Sequence, residues 1–227
     1  MTLPRLIIDF NPGWEIRNWY VASTKKSGYG LRGGDDAWTR DIPVEAVNLA
    51  RSAKNQDEGL RLLRPAFDAF VSAQDAQKVI EESIERAQKA WNDRAGEYFT
   101  ALSNMLDVPM DKFENEYRAH LTFTRRCPFY KNEFMFSRFG DIVNTATDEI
   151  MHIEFLKAYE TYCKQKGLSD SEIQHLKEIL TVLLDEDSVI SKLRSKRDQG
   201  YAKHEKLREE TAVFTMSPNR LNINSFL

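Results

Sequence analysis

The stretch TDEIMH, residues 147–152, decides how the rest of this chain is read. An α-helix puts residues i and i+4 on one face. If the stretch is helical, Asp148 and His152 project side by side and can grip one cation, with Glu149 one residue along. On a strand or in a loop that site does not exist. The flanks favour the helix: Asp141 is a helix-start residue and Gly167 a helix-stop residue, which predicts one helix over 141–166.

Working outward, Ser169 begins S-D-S-E, the form of a capping box with Glu172 at its third helical position. It predicts a second helix over 169–185, folded back on the first as a hairpin. A third helical stretch, 188–211, is strongly charged and reads as exposed on most of its surface; a polar tail, 212–227, follows. Upstream the period changes. Leu121 and Phe123 alternate with Thr122 and Thr124. Phe134, Met135 and Phe136 lie between Pro128 and Gly140, so 119–140 reads as two short strands joined by a turn. Residues 46–118 are helical: Leu60, Leu63, Phe67, Phe70 and Val71 recur at helical spacing, and Val79, Ile80, Ile84, Ala87 and Trp91 continue it. Residues 1–45 are mixed, with LIIDF as a candidate strand and SGYGLRGGDD as a turn-rich segment. Gly28, Gly30, Gly33 and Gly34 form no phosphate loop, because no G-K-[ST] follows. The expected fold is a single α+β domain over 1–227, mostly helical, with a short β-sheet next to the helix that carries the motif and its helical hairpin.

Composition removes several classes of function. The 227 residues carry 32 Lys and Arg against 35 Asp and Glu, a net charge of −3, so no global field draws the chain to nucleic acid or an anionic membrane. The basic stretch KLRSKRDQGYAKHEKLREE is interspersed with acids and reads as a solvated helix. Cys127 and Cys163 form no C-x-x-C, which signals neither a disulfide framework nor a cysteine zinc cluster. The N-terminus MTLPRLIIDFNPGW has no signal-peptide pattern, and no stretch approaches the length of a membrane span. The expected location is cytoplasmic.

With His in place of Asp148, residues 148–152 would read H-E-I-M-H, the metallopeptidase motif H-E-x-x-H. There two His bind zinc and the Glu is general base for a metal-bound water. Three segments extend the likeness: CPFYKNEFMFSRFG (127–140), NTATDEIMHIEFLKAY (144–159) and HLKEILTVLLDED (175–187). Residues 117–187 together resemble the active-site region of zincin metallopeptidases of the gluzincin kind. The resemblance implies a zinc ion held by Asp148, His152 and Glu178, with Glu149 as the catalytic base. It also implies a peptide or protein partner laid along part of Lys131–Arg138. Asp148 stands where the family has its first His. A carboxylate oxygen is an allowed zinc ligand at about 2.0–2.2 Å, but it lowers the positive charge that activates the bound water.

Helix rise tests the third ligand. His152 lies about 21 Å before the turn at Lys166, and Glu178 about 14 Å after Ser169, at about 1.5 Å per residue. Crossing and side-chain reach must close about 7 Å; Asp185, nearer the level of Asp148, is the reserve ligand. The same arithmetic disfavours a di-iron pairing of Glu149–His152 with Glu172–His175, which sit about 26 Å and about 5 Å from the turn. The expected function is therefore peptide-bond hydrolysis by a zincin-like metallopeptidase, or a divergent low-activity relative. The alternative is a non-catalytic protein-interaction module that keeps the fold and has lost the metal.

Overall fold

In the computed structural model, which describes residues 2–25, 37–198 and 200–215, strand β1 (Arg5–Asp9) leads into helix α1 (Pro12–Thr24). Four helices follow: α2 (Val44–Ser52), α3 (Gln56–Ser72), α4 (Gln74–Asn92) and α5 (Ala95–Leu106). Then come β2 (Glu116–Thr122), β3 (Phe129–Tyr130), β4 (Glu133–Ser137) and helix α6 (Ile142–Gln165). The chain continues through α7 (Asp170–Leu180), α8 (Val182–Glu186), α9 (Ile190–Leu193) and α10 (Glu205–Thr215). The expected mostly helical α+β class is what the chain adopts. The turn-rich segment 27–36 and the tail from Met216 onward lie outside the described residues.

The strands form one sheet in the order β1-β2-β4-β3. Its pairing differs from the expected two-strand hairpin. β2 and β4 run parallel, with Ala119 opposite Phe134 and Leu121 opposite Phe136. The turn instead joins β3 to β4, which are antiparallel, with Lys131 at φ +55° between them. Parallel pairing needs a connection between the strands, and residues 123–132 supply it. β4 is thus flanked by β2 on one side and by β3 at Glu133 and Phe134 on the other.

By their contacts the residues divide into two compact units. In the unit of residues 7–89 and 118–142, α1, α2 and α3 enclose Trp19, Ile16, Ala46, Leu63 and Phe67. The ring of Trp19 meets Phe67 edge-on at 5.3 Å. Helix α1 falls in the segment expected to be mixed. Its start is marked by Asn11, whose side chain accepts from the backbone N–H groups of Gly13 and Trp14, and by Pro12 in the first turn.

In the unit of residues 1–6, 90–117 and 143–227, α5 brings Tyr98 and Phe99 against Trp91, and Phe99 stacks on Tyr117. Tyr98 Oη donates to the carbonyl of Thr147, 2.8 Å away on α6. Glu154 on α6 accepts from the Glu114 backbone N–H at 3.0 Å and from the Tyr117 hydroxyl. These bonds hold α6 on both sides of Asp148, at Thr147 and at Glu154. The turn after α6 is a Schellman motif: Gly167 N–H donates to the Lys164 carbonyl and Leu168 N–H to that of Cys163. Gly167 sits at φ +90°, where a Cβ is strained. Ser169 then caps α7 in a full capping box with Glu172, so the local signals at both ends of the turn are realised. Beyond it two expectations change. The second helix breaks at Thr181 between α7 and α8, and the third is divided between α9 and α10. Arg194 and Arg208 are buried rather than solvated.

Candidate functional site

Asp148, Glu149 and His152 lie in the middle of α6, and Lys177 and Glu178 in the last turn of α7. The four-residue turn between the helices brings Glu178 opposite His152. Glu178 Oε2 is 3.9 Å from His152 Nε2, and Glu149 Oε2 is 3.5 Å from His152 Nδ1. Packing has closed the offset that helix rise left open. Three of the expected site residues therefore meet around one imidazole.

Asp148 is engaged elsewhere. Arg194, with its side chain 1% exposed, donates from Nη1 to Asp148 Oδ1 at 2.8 Å and from Nη2 to Oδ2 at 3.5 Å. Its Nε lies 3.6 Å from Asp185 Oδ1. Both the first expected ligand and the reserve ligand thus face the same guanidinium. Arg194 is positioned by the segment that follows α9. Ser195 N–H donates to Asn144 Oδ1 at 2.9 Å, and Asn144 Nδ2 donates to the Lys196 carbonyl at 2.7 Å. Asp198 N–H donates to Asp185 Oδ2 at 2.9 Å, while Asp198 itself pairs with Arg208 at 3.1 Å. Gly200, at φ +56°, lets the chain pass the Arg208 side chain, which a Cβ would approach to 2.7 Å.

A second internal cation sits beside His152. Lys177 is 3% exposed; its Nζ is 3.5 Å from His152 Nδ1 and contacts the Glu178 carboxylate. The ionisable groups respond to burial first. Burial pushes the Glu149 carboxyl up to about 7, opposed by Lys177. Burial pushes Asp148 up to about 7 against the pull of Arg194. Burial and then Lys177 push His152 down to about 3, opposed by Glu178. The imidazole is neutral near pH 7, the state that ligates metals. Among the described residues, Glu149 Oε2 is buried with no hydrogen-bond partner.

Measured against a zinc ion, this donor set is partial. His152 and Glu178 are about 0.5 Å wider apart than the roughly 3.4 Å of two ligands on a tetrahedral zinc at about 2.1 Å. Asp148 belongs to Arg194. A divalent ion about 4 Å from the Lys177 ammonium would meet repulsion of about 8 kcal/mol at an effective dielectric of about 20. Among the described residues no group of three or more His, Cys, Asp and Glu side chains is arranged to hold a metal. As arranged, the residues do not fit zinc.

Lys177 and Arg194 were not singled out in the sequence. Lys177 adjoins Glu178, but a Lys beside a Glu is ordinary on a helix surface. Arg194 lies in a basic run interspersed with acids, and only the tertiary fold selects the buried ones. Glu172 and His175, the second E-x-x-H string, are separate from the His152 cluster: Glu172 closes the capping box, and His175 Nδ1 lies 3.0 Å from His204 Nε2. No helix among the described residues is long and apolar enough to cross a membrane. No family model, no curated protein and no solved structure matches this chain.

Proposed function

We propose that this chain is a divergent, low-activity relative of the zincin-like metallopeptidases, in which the protein's own cations take the electrostatic place of the metal. The observation that carries the reading is the pairing of Arg194 with Asp148 and of Lys177 with Glu178, next to a neutral, buried His152. In the resembling family the carboxylate and imidazole donors converge on zinc. Here two carboxylates at those positions are already compensated from within. Glu149 keeps the place of a general base beside the imidazole. The partner class is a peptide or protein rather than nucleic acid or a membrane, and the location is cytoplasmic; both follow from the resemblance and from the charge and cysteine usage.

The same pairings favour the second reading, a non-catalytic protein-interaction module that retains the zincin-like scaffold. Digestion of a broad peptide library separates the two. The wild-type chain, Asp148→His/Lys177→Met/Arg194→Met, and that variant with Glu149→Gln are compared with zinc present. A low-activity relative gives weak cleavage by wild type, more by the triple variant and none once Glu149 is replaced. If all three leave the library intact while the triple variant binds zinc, the interaction module stands. Cleavage that persists in Glu149→Gln contradicts the assigned base.

A further inference from the structure

Within the unit of residues 7–89 and 118–142, one face of α1 walls a cavity of about 420 Å³. Trp14, Asn18 and Val21 recur at helical spacing along that face, and Pro128, Tyr130 and Met135 close the other side. The volume is in the range of small-molecule sites, about 300–1,000 Å³. Apolar side chains dominate the lining, and its two charged groups are both arginines, Arg17 and Arg126.

Arg126 is built in place. Its Nη1 donates to Asn18 Oδ1 at 2.8 Å, and its guanidinium lies 5.8 Å from the centre of the Trp38 ring. Asn18 is 2% exposed and locked in turn: its Nδ2 donates to Thr124 Oγ1 at 2.8 Å and to the Arg126 carbonyl at 2.9 Å. Burial lowers the Arg126 pKa from its usual value, because partial desolvation of the guanidinium disfavours the charged form. Among the described residues neither Arg126 nor Arg17 has a carboxylate partner. The contrast inside the same chain is plain: buried Arg194 has Asp148 and Asp185, and buried Arg208 has Asp198. Acids close in sequence to the cavity lining are already engaged. Glu15 accepts from Trp19 Nε1 at 2.7 Å and the Phe123 N–H at 2.9 Å, and Asp9 and Glu133 both contact His120. A partly desolvated guanidinium without a counter-charge is costly, and a planar carboxylate is its matched partner.

We propose that this cavity binds a small amphipathic carboxylate, its flat apolar body between Trp14, Val21 and Met135 and its carboxylate on Arg126, with Arg17 at the mouth. Tyr130, 63% exposed, stands at the rim. The ligand is either a free aromatic or branched acid, or the C-terminal carboxylate of a peptide ending in an apolar residue. Both present the same group.

Calorimetric titration of the full-length protein tests this with naphthalene-2-acetate, its neutral amide, and the tripeptide Gly-Gly-Phe with a free or amidated C-terminus. At least one free carboxylate binds about tenfold or more tightly than its amide, a difference of about 1.4 kcal/mol. The acid alone marks a small-molecule site, and the tripeptide alone marks a peptide terminus. Arg126→Met keeps the stem and removes the charge, so it loses the tenfold preference, while Arg126→Lys retains part of it. Equal binding of acid and amide overturns the proposal, as does no detectable binding of either carboxylate at millimolar concentration. If Arg126→Met does not fold, the acid-to-amide ratio on the wild-type protein decides alone.

Discussion

Replacing Arg194 with Met removes the guanidinium and keeps much of the side chain's volume. What is left behind is Asp148, which loses both its bonds to the guanidinium, and Asp185, which loses the charge 3.6 Å away. Breaking a buried ion pair from one side costs about 3–5 kcal/mol, a large share of the roughly 5–15 kcal/mol that stabilises a typical domain. The cost depends on pH, and its sign follows from Asp148. Its carboxyl stands at about 7 with Arg194 present, and removing the guanidinium, which lowers that value, moves it higher. A carboxyl whose folded pKa is raised contributes stability fully present below its unfolded value, and loses it as pH rises through the folded value. Near pH 6 Asp148 is largely protonated in both proteins. Near pH 8 the wild type has released the proton and the variant still holds it or bears the unpaired charge. One proton over about one pH unit is worth about 1.4 kcal/mol. Urea unfolding of wild type and Arg194→Met at both pH values is the assay. The destabilisation is expected to be about 3–5 kcal/mol near pH 8 and smaller by about 1 kcal/mol near pH 6. Asp148→Asn added to Arg194→Met should recover part of the loss near pH 8. A cost under about 1 kcal/mol at both pH values, or a cost that grows as pH falls, would refute the reasoning.

Glu149→Gln should flatten part of the pH dependence of stability. Burial raises the wild-type carboxyl to about 7, so its contribution is lost between about pH 4.5 and 7, and the stability difference between the two proteins should change by about 3 kcal/mol over that window in favour of the variant. Gly167→Ala places a Cβ at φ +90° and should lower stability by about 1–2 kcal/mol, read as a fall in the urea midpoint with the slope unchanged. Phe67→Ala, at a fully buried position of the α1–α3 core, should cost about 3–5 kcal/mol.

The parts that were legible in the sequence are those with local causes. Gly167 and Ser169 bound α6 and α7 through a left-handed turn and a capping box, and Asp141 immediately precedes α6, each decided within a few residues. The His152–Glu178 approach was half legible: the two helices were bounded, and their crossing closed the remaining offset. Strand pairing was not legible, because the alternation in 119–123 and 134–136 fits either an antiparallel or a parallel partner, and the choice depends on a non-local register. Helix α1 was hidden in its composition: Glu15 and Asn18 are polar yet buried, which blurs an amphipathic pattern, although Asn11 and Pro12 carried a start signal. The buried cations were the largest omission. Arg194 and Arg208 look like their solvated neighbours until α6, α8 and the segment 194–200 supply Asp148, Asp185 and Asp198. Asp148 in turn looks like a ligand until Arg194 is placed.

The claim that internal cations stand in for the metal is tested most directly by calorimetric zinc titration of the wild-type chain beside Asp148→His/Lys177→Met/Arg194→Met. The triple variant removes both cations and supplies the second imidazole. It is expected to bind one zinc at least about a hundredfold more tightly than wild type, a difference of about 2.7 kcal/mol, and to lose that gain when His152 or Glu178 is changed to Ala. Tight one-to-one zinc binding by the wild-type chain, abolished by His152→Ala and by Glu178→Ala, would contradict it.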